Sequence, residues 1–281
     1  MIKCVGVLGC GLMGSGIAQV AAQSGYRTIV REVEQTLLDK GVARIHKFLS
    51  DGVAKGKVTA ETRDATLANL VGTTSFDAFR DCDLVVEAIV ESLDEKRRAY
   101  EALEAVTGPQ TIFCSNTSSL CITELAAATK RPHRFAGLHF FNPVPLMKLV
   151  EVIRALTTSD DTYRTVFEFA QSLGKQPITA PDRPGFIVNR LLVPYLLDAI
   201  RSYENGLGTL EDIDNGMKLG CGYPMGPFTL LDFVGLDTTY YIANIMFEEY
   251  REPAYAPPPL LKRMVLAGRL GRKSGQGFYK Y

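Results

Sequence analysis

The feature that most constrains this chain lies close to its start. A short apolar run, Ile2–Leu8, ends in Gly9-Cys10-Gly11-Leu12-Met13-Gly14, and small and apolar residues continue through Leu12–Ser24. A buried strand, then G-x-G-x-x-G, then a helix is a tight turn that leaves a helix N-terminus open to an anion. Gly9 permits the turn, Gly11 lets an anionic group approach the backbone, and Gly14 allows helix and strand to pack closely. By itself the pattern is weak. Here a second strand-like run, Tyr26–Val30, leads to the charged pair Arg31-Glu32, which completes the context of a dinucleotide-binding unit.

That reading assigns Gly9, Gly11, Leu12, Met13 and Gly14 to the cofactor pyrophosphate and Glu32 to the adenosine ribose hydroxyls. A carboxylate there favours NAD, because it would repel a 2′-phosphate. Arg31 keeps NADP open, since a guanidinium turned toward the ribose would accept that phosphate.

The rest of the first half alternates in the same way. Thr36–Ala54 carries Leu37, Leu38, Val42, Ile45, Leu49 and Val53 at helical spacing. Leu84–Val90, Thr111–Cys114 and Phe135–Phe141 read as buried strands, and Glu95–Val106 and Ile122–Thr129 as helices. Such alternation predicts an α/β, Rossmann-type, doubly wound and mostly parallel sheet with helices on both faces. Strand patterns stop at Ala180-Pro181-Asp182-Arg183-Pro184-Gly185. Beyond it, Phe186–Tyr203 (with a kink expected at Pro194), a capping box at Thr209–Asp212, Asp237–Glu249 and Leu260–Ala267 are all helical. The expected domains are therefore 1–184, binding the cofactor, and 185–281, all-helical.

Composition narrows the class. The 281 residues hold 31 Lys+Arg against 31 Asp+Glu, which argues against nucleic acid or an anionic membrane as partner. No apolar run approaches the ~20 residues that span a bilayer. The start lacks the charged, apolar and small-residue regions of a signal peptide, so a cytoplasmic protein is expected. The six scattered cysteines fit neither a metal site nor a disulfide framework, and read as buried or half-buried thiols in a reducing compartment. No metal is expected.

Only three histidines are present. His46, on an amphipathic helix, and His133, beside a proline, read as surface residues. His139 sits in Gly137-Leu138-His139-Phe140-Phe141-Asn142-Pro143. A lone histidine among apolar residues is usually a satisfied core residue. Against that, ligands bind beyond the carboxyl ends of parallel strands, where this run ends. Glu151, embedded in the apolar run Leu149–Ile153, needs a partner. A His–Glu pair answers that need and orients an imidazole for proton transfer. The polar run Ser115–Ser119 reads either as a helix cap or as a ligand loop, and Asn189 in an apolar helix needs a backbone or ligand partner.

Across essentially the whole chain these motifs resemble the L-3-hydroxyacyl-CoA dehydrogenases, most of all the bacterial stand-alone 3-hydroxybutyryl-CoA dehydrogenases. The carriers are Gly9–Gly14, Val86–Glu91, Ser115–Leu120, Gly137–Pro143, Pro184–Arg190, Pro224–Pro227 and Gly271–Tyr279. The resemblance implies that His139 is the general base, oriented by Glu151, and that Ser118 and Asn189 contact the reacting part of the substrate. It implies nicotinamide-side contacts from Glu91, Lys96, Ser118 and Asn142, and CoA contacts from Ser50 and Lys57. Arg44, Lys47, Lys55 and Lys57 form a basic cluster that either meets CoA phosphates or is a solvated helix face. The family commonly has Asp where this chain has Glu32, one methylene longer.

The reaction expected is interconversion of a short-chain L-3-hydroxyacyl-CoA and its 3-ketoacyl-CoA with NAD(H), at a cleft between the domains. The partner expected is a second copy, through apolar stretches of the helical domain (Leu191–Leu197, Phe228–Val234). Two alternatives stand beside this: a related dehydrogenase of a free hydroxy or sugar acid (gulonate-type), without a use for Lys55 and Lys57, and a non-catalytic, crystallin-like NAD-binding protein.

Overall fold

The computed structural model describes residues 2–281. By contact density the chain separates into two compact units, one ending at Asp182 and the other Arg183–Tyr281. In the first, β1 (Cys4–Leu8), α1 (Leu12–Gln23), β2 (Arg27–Arg31), α2 (Gln35–Ala54), α3 (Ala60–Ala68) and β3 (Leu70–Thr73) form one half. Then come β4 (Leu84–Glu87), α4 (Leu93–Val106), β5 (Ile112–Ser115), α5 (Ile122–Ala127), β6 (Phe135–Phe140), β7 (Leu149–Arg154), α6 (Asp160–Ser172) and β8 (Gln176–Pro181).

The eight strands make one sheet in the order β3-β2-β1-β4-β5-β6-β7-β8. Every pairing is parallel except β6 with β7. This is the doubly wound arrangement, and the order reverses between β1 and β4. Strands β1, β4, β5 and β6 are buried along their whole length. That fits their continuous Val, Ile, Leu and Phe content and helices packed on both faces. The antiparallel step at β7 sets Glu151 directly opposite His139.

Several expected elements shift by a few residues. The run Leu84–Val90 leaves the sheet after Glu87, and α4 begins at Leu93, where Ser92 Oγ accepts the Glu95 backbone N–H. Four elements of this unit, α3, β3, α6 and β8, were not among those expected.

The second unit contains α7 (Val188–Glu204), α8 (Leu210–Asn215), α9 (Pro227–Val234), α10 (Leu236–Tyr250) and α11 (Pro259–Leu266). Leu196, Leu197, Ile200, Phe228, Leu231, Leu236, Met246 and Leu261 form its core. The Thr209 cap forms as expected, its Oγ1 accepting the Asp212 N–H at 3.1 Å. Pro194 lies inside α7. Among the described residues no helix is long and apolar enough to cross a membrane.

Candidate active site

The register aligns the carboxyl ends of the central strands. Leu8 pairs with Glu87, and Glu87 with Ser115. Gly137 pairs with Ser115, so His139 stands two residues beyond the end of β5. The glycine turn, the Glu87–Glu91 segment, the Ser115–Ser119 loop and His139 therefore share one edge of the sheet.

Each glycine of the turn meets a different environment. Gly9 has φ of 98°, and a Cβ there would lie 2.5 Å from the Ala88 carbonyl oxygen. A Cβ on Gly14 would sit 1.9 Å from the Gly9 carbonyl oxygen, whereas one on Gly11 would have nothing within 4 Å. The turn is packed on two sides and open on the third. Helix α1 starts from Gly11 with no side-chain cap, leaving its N-terminal N–H groups for an anion. Leu12 is exposed and Met13 half-buried at this opening. Glu32 is fixed beside it: one carboxylate oxygen accepts the Cys10 N–H at 2.8 Å and the other the Val33 N–H at 2.8 Å. The open backbone, uncapped helix and fixed carboxylate fit a dinucleotide. Arg31 is engaged elsewhere, its Nε donating to Thr74 O at 3.0 Å and its guanidinium 3.8 Å from the centre of the Phe76 ring.

His139 and Glu151 meet through Nδ1 and Oε2 at 2.7 Å. Both are buried, and the Phe141 ring lies 4.6 Å from the imidazole. With Nδ1–H donating to the carboxylate, Nε2 is the basic nitrogen of the neutral ring. His46 and His133 are exposed, as expected.

In the Ser115–Ser119 run Ser115, Thr117 and Ser119 are buried, and Asn116 and Ser118 are half-buried. Glu91 Oε1 accepts from the Thr117 hydroxyl, from Ser118 N at 3.2 Å and from Ser119 Oγ at 3.1 Å. Its other oxygen lies 3.0 Å from the Lys96 ammonium. Burial opposes the charge on Glu91, but Lys96 and the Thr117 hydroxyl outweigh it and hold the carboxyl below the usual carboxylate range. Burial likewise opposes the Lys96 charge, and Glu87 with Glu91 outweighs it, raising the ammonium above an ordinary lysine. Lys96 is thus buried between two carboxylates rather than open at the surface. Asn116 ties the loop to β6, its Oδ1 accepting the Phe140 N–H at 2.9 Å. Asn142 is exposed just past β6, and the Asn142–Pro143 peptide is cis.

Asn189 is the second residue of α7 and half-buried. The start of α7 is held within its own unit: the Arg190 guanidinium stacks 4.2 Å from the Tyr250 ring centre, and the Tyr250 hydroxyl donates to Pro184 O at 2.9 Å. Ser50, Lys55 and Lys57 are exposed around the end of α2. The expected four-residue basic cluster does not hold together. Lys47 pairs with Asp51 one helical turn on, and Arg44 folds back onto Ser15 Oγ at 3.1 Å, beside the glycine turn. The cysteines correct in one place: Cys4, Cys10, Cys82 and Cys114 are buried and Cys121 half-buried, but Cys221 is exposed. Glu87 escaped sequence reasoning as a site residue, and Asn116 and Thr117 were read only as part of the Ser115–Ser119 run.

The NAD-binding domain of the 3-hydroxyacyl-CoA dehydrogenases matches residues 4–183, and the C-terminal domain of the same enzymes matches residues 185–281. The chain belongs to the 3-hydroxyacyl-CoA dehydrogenase family. Within it, the chain is 51% identical over 282 residues to a 3-hydroxybutyryl-CoA dehydrogenase of Mycobacterium tuberculosis, covering 100% of this chain and 99% of that one. It is 49% identical over 291 residues to the human mitochondrial hydroxyacyl-coenzyme A dehydrogenase, covering 100% and 92%. The crystal structure of (S)-3-hydroxybutyryl-CoA dehydrogenase from Ralstonia eutropha superposes with a TM-score of 0.96 at 43% identity, covering 100% of this chain and 99% of that one. The open glycine turn and the fixed Glu32 thus lie in this family's NAD-binding domain.

Proposed function

We infer that the chain is an NAD-dependent dehydrogenase interconverting a short-chain L-3-hydroxyacyl-CoA, such as 3-hydroxybutyryl-CoA, and its 3-ketoacyl-CoA. The observation that carries this reading is the buried His139–Glu151 pair beside the edge that holds the open glycine turn. The bound nicotinamide supplies the hydride acceptor for C3 of the substrate. His139 Nε2 takes the C3 hydroxyl proton during oxidation and returns it to the ketone during reduction. Glu151 holds the ring through Nδ1 and stabilises the imidazolium. Ser118 and Asn189 fix the reacting oxygens, and Ser50 and Lys57 hold the CoA portion.

Gly9, Gly11, Leu12, Met13 and Gly14 cradle the pyrophosphate, and Glu32 binds the adenosine ribose. Glu91, Ser118 and Asn142 face the nicotinamide side, with Lys96 contributing through its grip on Glu91. NAD is preferred to NADP, because the Glu32 carboxylate is held in place while Arg31 is spent on Thr74 and Phe76. The unit ending at Asp182 serves the cofactor. The helical unit supplies Asn189 and the surface on which two copies join, and the enzyme works in the cytoplasm. A gulonate-type or crystallin-like role is not favoured, since relatives matched over the full chain are named for hydroxyacyl-CoA and hydroxybutyryl-CoA.

His139→Gln, assayed by NADH absorbance with acetoacetyl-CoA, is expected to lose turnover by about 10²–10⁴-fold. Near-parent turnover would overturn the assignment. Glu151→Gln is expected to lower turnover and move the pH profile, and parallel assays with NADPH to run far slower than with NADH.

A further inference from the structure

A buried polar cluster lies directly behind the Glu91 loop, and its central residue has no role in the steps above. At its centre is Glu87, the last residue of β4 and fully buried. One carboxylate oxygen meets the Lys96 ammonium at 2.5 Å and accepts the Ile89 N–H at 2.8 Å. The other accepts Ser115 Oγ at 2.7 Å and the Tyr100 hydroxyl at 3.3 Å. Three donors converge on the two oxygens, and the Tyr100 hydroxyl, shared with Cys114 O at 3.4 Å, adds a fourth, so both oxygens act as acceptors. The Lys96 ammonium is shared with Glu91, so two carboxylates divide one cation.

We propose that Glu87 is a positioning residue for the reaction: it anchors Lys96, and through it Glu91, and its buried charge favours the oxidised over the reduced nicotinamide. This rests on the reading that Glu91 faces the nicotinamide. Two physical arguments lead to it. First, Glu87 ties together the two loops that present Glu91 and Ser118. Its side chain holds Lys96 and Ser115, its carbonyl accepts the Asn116 N–H, and Ser115 Oγ in turn accepts the Thr117 N–H. Second, the oxidised ring carries a positive charge that the reduced ring lacks. A fixed negative charge in a water-excluded pocket therefore acts on the two forms differently.

The test is titration of the purified enzyme with NAD⁺ and with NADH, separately, giving the ratio of the two affinities. Glu87→Gln keeps the shape, since its amide oxygen still accepts from Lys96 and Ile89 N while its NH₂ donates to the Ser115 hydroxyl. The ratio is expected to fall about tenfold toward NADH on loss of one buried charge. Tyr100→Phe removes a hydrogen bond from the same pocket without changing charge, and is expected to leave the ratio alone. Glu87→Asp keeps the charge but shortens its reach, weakening both affinities while preserving the ratio, and stands in should the Gln variant fail to fold. An unchanged ratio in a folded Glu87→Gln, an equal shift in Tyr100→Phe, or a collapsed ratio in Glu87→Asp overturns the proposal. Glu91→Gln separates it from the reading beneath it. If that variant binds both dinucleotides as the parent does, Glu91 is no cofactor contact and both fall. If it weakens binding while Glu87→Gln leaves the ratio unmoved, only the proposal falls.

Discussion

Gly11 and Gly14 sit three residues apart in one turn and answer to different constraints. A methyl on Gly14 would lie 1.9 Å from the Gly9 carbonyl oxygen, so helix and strand must part to admit it. A methyl on Gly11 meets no protein atom within 4 Å. Gly14→Ala is therefore expected to destabilise the fold by about 1–3 kcal/mol, seen as a lower melting temperature. Gly11→Ala is expected to melt like the parent but to bind NADH about tenfold more weakly, on the order of 1.4 kcal/mol. A Gly11→Ala enzyme with parental affinity would show that the open face takes no ligand. The contrast explains which residues could be read from the chain. Gly9–Gly14 and the His139–Glu151 pair announce themselves, one by a turn only glycine makes, the other because a carboxylate in an apolar strand demands a partner. Glu87 carried the same signal inside Leu84–Val90, but its partner was named only through the family resemblance and for another role. Lys96 comes nine residues later on a helix rich in charge, where one more lysine looks like solvent-facing decoration.

At the scale of elements, α5 shows how a short piece is held in place from far away. It has six residues and no capping side chain of its own at Cys121. Asp182, sixty residues on, accepts the Ile122 N–H at 2.8 Å and the Thr123 N–H and hydroxyl at 2.7 and 2.6 Å. A helix this short has little intrinsic stability, so the cap and the buried Ile122 and Leu125 carry it. Asp182→Ala is expected to cost about 1–2 kcal/mol in urea unfolding, with Asp182→Asn recovering part of it. A midpoint unmoved by the alanine would mean that packing alone holds α5. The two strands that escaped sequence reading have a common cause. Strand β3 is a half-exposed edge strand carrying Gly72, and β8, at the other edge, contains Pro177 and Pro181. Edge strands tolerate proline and mixed polarity because one side needs no ladder partner, and that tolerance erases the alternating pattern that identifies a strand. The central strands, buried on both faces, had no such freedom and were plain.

For the whole molecule, the question is what the helical unit does with its apolar surface. Leu191 on α7 is 73% exposed, Leu219 is 82%, and Phe233 and Val234 at the end of α9 are 43% and 38%. Single exposed apolar residues are ordinary, but these come from a unit of Arg183–Tyr281 whose core already takes up the inner faces of α7, α9 and α10. The zero net charge of the chain gives no electrostatic reason for copies to stay apart. A second copy would offer the same residues in return, and an isologous contact closes as a dimer rather than growing. Sedimentation equilibrium is expected to give twice the chain mass of 30.9 kDa. Leu191→Glu and Phe233→Glu would each bury an unpaired charge in that contact and shift the mass toward the monomer, while NADH binding by the first unit persists. If the parent sediments as a monomer, or both variants remain dimeric, the contact between copies lies elsewhere or does not form.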